Sequence, residues 1–172
     1  GETDTNPWGV KATIESPGTH AMARSFSDIL VGKDPRNVEG LWHEMNEKTL
    51  MTSRRGLGIC AIGAIDMALW DVTGQFHNQP IYQLLGGAFR KEIKPYATGF
   101  YRIKGQGEAK RLAEEAITHF ENGFDHMKVK LGFGLKDDIE CMQAIKNVLA
   151  GKDITLMIDT NHAYGTSEAL QL

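Results

Sequence analysis

Beyond Arg90 the sequence alternates short strand-like runs with amphipathic helical ones, and this alternation constrains the fold more than any other feature. Ile93 to Gly99 reads as a first strand. Glu108 to Asn122 follows with Ala109, Leu112, Ala116, Ile117 and Phe120 at helical spacing, and Gly123 stands where a helix C-cap belongs. His126 to Leu131 reads as a second strand. Asp137 to Leu149, with Ile139, Met142, Ile145 and Val148 on one face, reads as a second helix, and Ile154 to Ile158 as a third strand ending in Asp159. Strand and helix in alternation build a parallel sheet through crossovers, so the expected class is α/β. Three strands cannot close an eight-stranded barrel, which takes about 250 residues. The sheet is therefore either open or completed by strands outside these residues.

The chain before Arg90 has another rhythm. Residues 1 to 24 read as irregular, with a short strand at most, because Pro7, Pro17 and several glycines break any period. Phe26, Ile29 and Leu30, then Val38, Leu41, Trp42 and Met45, mark two antiparallel helices around an interruption at Gly32-Lys33-Asp34-Pro35. After a polar loop at Thr52 to Gly56, Ile59 to Phe76 reads as a long helix whose apolar residues nearly encircle it, which predicts burial. Pro80 opens a shorter helix that Gly86-Gly87 ends. The expected organisation is a mainly helical segment over 1–90 and an α/β segment over 91–172. Gly105-Gln106-Gly107 and Gly132-Phe133-Gly134 lack the context of a phosphate-cradling loop and read as turns.

Composition excludes several function classes. A formal charge of -3 and a pI near 6.1 provide no basic field, so no nucleic-acid partner is expected. No apolar run approaches the roughly 18–20 residues of a membrane span, and no leader pattern opens the sequence, so the expectation is a cytoplasmic protein without a membrane partner. Cys60 and Cys141 lie far apart in apolar helical patterns and are expected to pack as small hydrophobes. The abrupt start at Gly1-Glu2 and the end at Leu172, where a helix has barely begun, lead us to expect a fragment.

Two pairs of residues carry candidate chemistry. Lys128 and Lys130 are two apart on one strand, so both project from one face while Met127, Val129 and Leu131 project from the other. Two neighbouring, partly desolvated ammonium groups favour the neutral amine, which would lower a lysine pKa into the range of a general base. The competing reading is an exposed edge strand with alternating lysines. Asp159 and Asn161 end the third strand, again two apart on one face, with Leu156 and Ile158 on the other. A carboxylate there suits a hard cation such as Mg2+, or simply caps the following turn. Both pairs fall at strand C-terminal ends, where α/β barrels keep their sites, and are expected to face one cavity.

The run Ala61-Ile62-Gly63-Ala64-Ile65-Asp66-Met67-Ala68-Leu69-Trp70-Asp71-Val72-Thr73-Gly74-Gln75, followed by Pro80 to Gly86, resembles the helix signature of the mandelate racemase/muconate lactonizing enzyme family of the enolase superfamily. Lys128-Val129-Lys130 looks like the family's Lys-x-Lys, and Leu156 to Asn161 followed by Ala169 looks like the opening of its metal-ligand signature. The resemblance implies the helical part of an enolase-type capping domain plus the first three β/α units of an incomplete TIM-like barrel. It implies a Mg2+ cofactor and abstraction of the proton α to a substrate carboxylate, where a cation stabilises the enediolate that a lone base cannot. Carried over by residue, Lys130 is the acid/base, Lys128 tunes it and meets the substrate carboxylate, Asp159 is the first metal ligand and Asn161 a polar neighbour. Asp66 and Asp71 become buried structural carboxylates. His162, Arg54, Arg55 and Tyr96 are candidate substrate contacts, the arginines lying in a loop that in relatives reaches over the barrel mouth. The remaining metal ligands and the opposite-face acid/base have no counterpart before Leu172.

Tyr96-Ala97-Thr98-Gly99, the Gly-Phe-Gly after the lysines and Asp159 to His162 look most like members acting on sugar acids and their lactones. The expected reaction is dehydration of a sugar acid, with lactone cycloisomerisation or racemisation as the alternative, and the full-length enzyme is expected to be a homo-oligomer. Two readings of other classes remain open, a Schiff-base lysine enzyme and a non-catalytic fragment that only binds partners.

Overall fold

The computed structural model describes residues 1–103 and 108–172. The expected turn at Gly105-Gln106-Gly107 lies outside the described residues. The chain forms two compact units, Gly1–Lys91 and Glu92–Leu172, each with its own apolar core.

The first unit is helical: α1 (Pro7–Glu15), α2 (Phe26–Leu30), α3 (Val38–Lys48), α4 (Leu57–His77) and α5 (Ile81–Leu84). Helix α1 corrects the expectation of an irregular start. Pro7 occupies the first helical position, where its missing N–H costs nothing, and the Asn6 side chain accepts from Gly9 N at 2.9 Å as N-cap. The proline read as a breaker is thus a starter. Ser25 and Asp28 form a reciprocal capping box at α2. Phe26, Ile29, Val38, Leu41 and Met45 then bury against Ala61, Ile62 and Leu69 of α4.

Helix α4 departs from two expectations. Its length and composition are those of a membrane-crossing helix, although no run of that kind was expected from the sequence. Nor is it buried all round, because the elements of its unit cover one face and leave Ile59, Met67, Val72 and Phe76 40–62% exposed. Asp71 is likewise exposed and accepts from Gln75 Nε2 at 2.6 Å, rather than being a buried carboxylate. Asp66 is half-buried, and that desolvation, followed by the charge of Glu39, pushes its carboxyl above the usual range.

The second unit comprises β1 (Ala97–Thr98), α6 (Glu108–Glu121), β2 (His126–Lys130), α7 (Leu135–Val148), β3 (Thr155–Asp159) and α8 (Thr166–Ala169). The sheet is parallel in the order β1-β2-β3. β1 is far shorter than the Ile93–Gly99 expected. Ala97 pairs with Met127, the second residue of β2, so residues before Tyr96 have no strand beside them, and Phe100 turns the chain at φ 57°. Helix α6 ends in a Schellman turn, with Gly123 at φ 88° and Phe124 N donating to the His119 carbonyl at 3.1 Å.

Met127, Val129 and Leu131 bury on the helix-covered side with Leu112, Ala116, Cys141 and Ile145. That core turns the lysines of the same strand to the opposite face. Cys141 is buried and Cys60 half-buried, both as free thiols.

Candidate active site

β2 and β3 run in register, so Lys130 lies directly opposite Asp159. Lys130 Nζ donates to Asp159 Oδ2 at 2.7 Å, and Lys128 Nζ lies 3.2 Å from the same oxygen. The three side chains are each 22–26% exposed, partly desolvated yet open to solvent. Lys128 Nζ also sits 5.6 Å from the centroid of the Tyr96 ring, within reach of its negative face. The structure therefore brings Tyr96, Lys128, Lys130 and Asp159 together.

Asn161 stands differently from its expected place on the strand face. The strand ends at Asp159, and Asn161 adopts φ 50° in a turn where its backbone N donates to Asp159 Oδ1 at 3.0 Å. Its contribution to the cluster is a backbone hydrogen bond, and its side chain and that of His162 are exposed. Arg54 and Arg55 are exposed in the first unit, in the loop before α4.

The electrostatics reverse one expectation. Two adjacent lysines were expected to depress each other, but the Asp159 carboxylate lies against both. Its hydrogen bond raises the Lys128 pKa above the ordinary value, outweighing desolvation. The hydrogen bond from Lys130, then those from Asn161 N and Lys128, hold the Asp159 carboxyl well below the usual carboxylate range. Cavities of this unit are lined by Ile139, Met142, Ile158 and Leu172, and by Lys110, Ala113 and Ile117.

As a ligand for a hard cation, Asp159 has the right donor chemistry, an ionised carboxylate. Among the described residues no group of three or more His, Cys, Asp or Glu side chains converges as a metal site. The described residues thus fit one corner of a magnesium site.

A second cluster went unrecognised in the sequence. Asp138, in the first turn of α7, is fully buried and pairs at 2.8 Å with Arg102, whose side chain is 7% exposed. Gly132 N and Tyr164 Oη donate to its other oxygen at 2.6 and 2.5 Å. Arg102 also reaches Asp137 at 2.9 Å and the Cys141 sulfur at 2.8 Å. A signal was present, since Asp138 falls on the buried stripe of Cys141 and Ile145 at helical spacing, where a carboxylate needs partners.

Parallel strands under helices, with lysines and a carboxylate meeting at the strands' C-terminal ends, place the second unit in the α/β class, whose functional sites lie at those ends. Comparison with known proteins agrees. Residues 4–86 match the model of the mandelate racemase/muconate lactonizing enzyme N-terminal domain, and residues 110–172 match that of the enolase C-terminal domain-like family. The chain belongs to the mandelate racemase/muconate lactonizing enzyme family of the enolase superfamily. It is 35% identical over 152 residues to D-galactarolactone cycloisomerase of Agrobacterium fabrum, covering 88% of this chain and 40% of that protein. To arabinonate dehydratase of Saccharolobus solfataricus it is 37% identical over 164 residues, covering 95% and 41%. The crystal structure of 3,6-anhydro-D-galactonate cycloisomerase from Zobellia galactanivorans superimposes with a TM-score of 0.85 at 37% identity, over 100% of this chain and 44% of that one. The chain thus spans about two fifths of the length of these curated relatives.

Proposed function

We propose that these residues carry the lysine acid/base and one metal-binding carboxylate of a magnesium-dependent enzyme that removes the proton α to the carboxylate of a sugar acid. The observation that carries this reading is the meeting of Lys128, Lys130 and Asp159 across paired strand ends, 2.7 and 3.2 Å apart. In this reading 1–90 is part of a capping domain and 91–172 the start of a barrel domain.

Enolase-superfamily sites combine a Lys or His base with one or two magnesium ions. The bound cation supplies positive charge beside the enediolate oxygens. Lys130 Nζ accepts the α-proton as a neutral amine, its ammonium having first released a proton to solvent; the amine keeps two N–H bonds and can still donate to Asp159. Lys128, held as an ammonium, meets the substrate carboxylate, and the Tyr96 ring limits where that ammonium can stand. Asn161 N orients the Asp159 carboxylate. Asn161 and His162 supply polar contacts to the hydroxyls of the substrate. Loss of the β-hydroxyl as water, with the proton that Lys130 has taken up passed to the leaving oxygen, completes a dehydration. Return of the proton, or elimination of a ring oxygen, gives the racemase or cycloisomerase alternative, which the cycloisomerases among the relatives favour as second choice.

The test is deuterium incorporation at C2 of aldonic and aldaric acids in D2O with Mg2+, catalysed by a longer protein that contains these residues. Lys130→Ala is expected to lose about 100-fold or more of the exchange, and unchanged exchange would refute the assignment. Trapping of a lysine by borohydride with substrate would favour the Schiff-base class instead. Residues 1–172 alone are expected to show little or no turnover, since they bring a single strand-end carboxylate.

A further inference from the structure

The buried Asp138 cluster is not used by the proposed chemistry, yet it gathers the chain from beyond every strand of the sheet. Arg102 follows β1. Gly132, Phe133 and Gly134 follow β2, and Tyr164 follows β3. Four of these residues reach one carboxylate on α7: Arg102 Nη2 at 2.8 Å, Gly132 N at 2.6 Å, Phe133 N at 3.4 Å and Tyr164 Oη at 2.5 Å. Tyr164 Oη in turn accepts from Gly134 N at 3.0 Å. The segments after β2 and β3 also press together at Gly132, where a Cβ would lie 2.7 Å from Ala163 Cβ and 3.0 Å from the Thr160 carbonyl.

We infer that Asp138 is a positioning residue for the Lys130–Asp159 pair, acting through Gly132 and Tyr164; its link to catalysis rests on the function proposed above. Gly132 is two residues beyond Lys130. Tyr164 closes the turn that begins at Asp159 and whose Asn161 N orients that carboxylate. A buried ion pair is a poor device for stability alone, because desolvation offsets its Coulomb attraction. What a carboxylate offers that a hydrophobe of equal size does not is directional acceptance from several segments at once. It satisfies backbone N–H groups that would otherwise lack partners, and so sets where each strand end turns.

The test uses the 172-residue chain labelled with 15N and 13C, as parent, Asp138→Asn and Tyr164→Phe. Tyr164→Phe deletes one hydroxyl and leaves the Asp138–Arg102 pair intact, so it keeps the inference falsifiable should Asp138→Asn fail to fold. In both variants the amides of Gly132 and Asn161 are expected to exchange about tenfold faster or more. Those of Val129 and Leu156 keep their parent rates in Tyr164→Phe. The Lys130 Nζ and Asp159 carboxyl resonances are expected to shift together as the pair loosens, a signature that a purely stabilising role would not produce. Uniform acceleration of all amides in Tyr164→Phe would overturn the inference. So would faster exchange at Gly132 and Asn161 with unmoved Lys130 and Asp159 resonances. None of these signals depends on turnover, so failure of the deuterium assay and failure of this one are distinguishable.

Discussion

Replacing Arg102 by Met, alone and together with Asp138→Asn, tests whether the second unit is built around a buried charge. Asp138 is fully buried and the Arg102 side chain 7% exposed, so bulk water screens neither. Arg102→Met leaves the carboxylate with neutral donors from Gly132 and Tyr164 and no countercharge. Removing one partner of a buried pair costs about 3–5 kcal/mol. Asp138→Asn costs less, about 1–3 kcal/mol, because Arg102 keeps its contact with the half-exposed Asp137 and the amide oxygen still accepts. The double variant removes both charges, so its cost should fall short of the sum by about 1.5 kcal/mol or more. Urea unfolding followed through the Met127 and Val129 amides reads this unit separately from the other. With m near 1–3 kcal/mol per molar for a small unit, a loss of about 3 kcal/mol lowers the midpoint by roughly 1–3 M. Additivity within about 0.5 kcal/mol would refute the reasoning.

Gly132→Ala forces an L side chain into φ 104° and against Ala163; a loss of about 1–3 kcal/mol is expected by thermal melting, and an unchanged melt would contradict the close approach. Acid should destabilise both units. Arg36 holds Asp34, and Lys94 followed by His126 holds Asp125, near pKa 2, below their ordinary 3.8, so their stabilisation is full above about 3.8 and lost as pH falls toward 2. Asp34→Asn and Asp125→Asn should each flatten the corresponding unit's stability over that window. Asp159→Asn should bring the Lys128 pKa down toward its ordinary value, read by NMR titration. Because the folded value is raised, the stabilisation this lysine gives the parent is full below pH 10.5 and lost as pH climbs through the folded pKa.

What could be read from the chain alone was whatever depends on period and spacing. Alternation placed Met127, Val129 and Leu131 in the core and therefore Lys128 and Lys130 on the other face, because successive side chains of a strand must diverge. Gly123 and Pro80 marked a helix end and a helix start through local backbone geometry. The long helix, the lysine pair and the strand-end carboxylate together were enough to identify the family. Pro7 was misread because a proline's effect depends on whether it falls at the first turn or inside a helix, and Asn6 decides that only through its side-chain bond.

The tertiary structure decided which groups act on one another across the sheet. Residues 130 and 159 are 29 apart in the chain, and only the register of β2 on β3 puts the Asp159 carboxylate between the lysines, raising the Lys128 pKa where spacing alone suggested depression. Arg102, Asp138 and Tyr164 carry no local pattern that joins them, yet strand ends turning inward bring them to one buried point. Spacing within an element follows from the backbone's own geometry. The charge felt at a side chain is set by neighbours from other elements, and these exist only once the chain has packed.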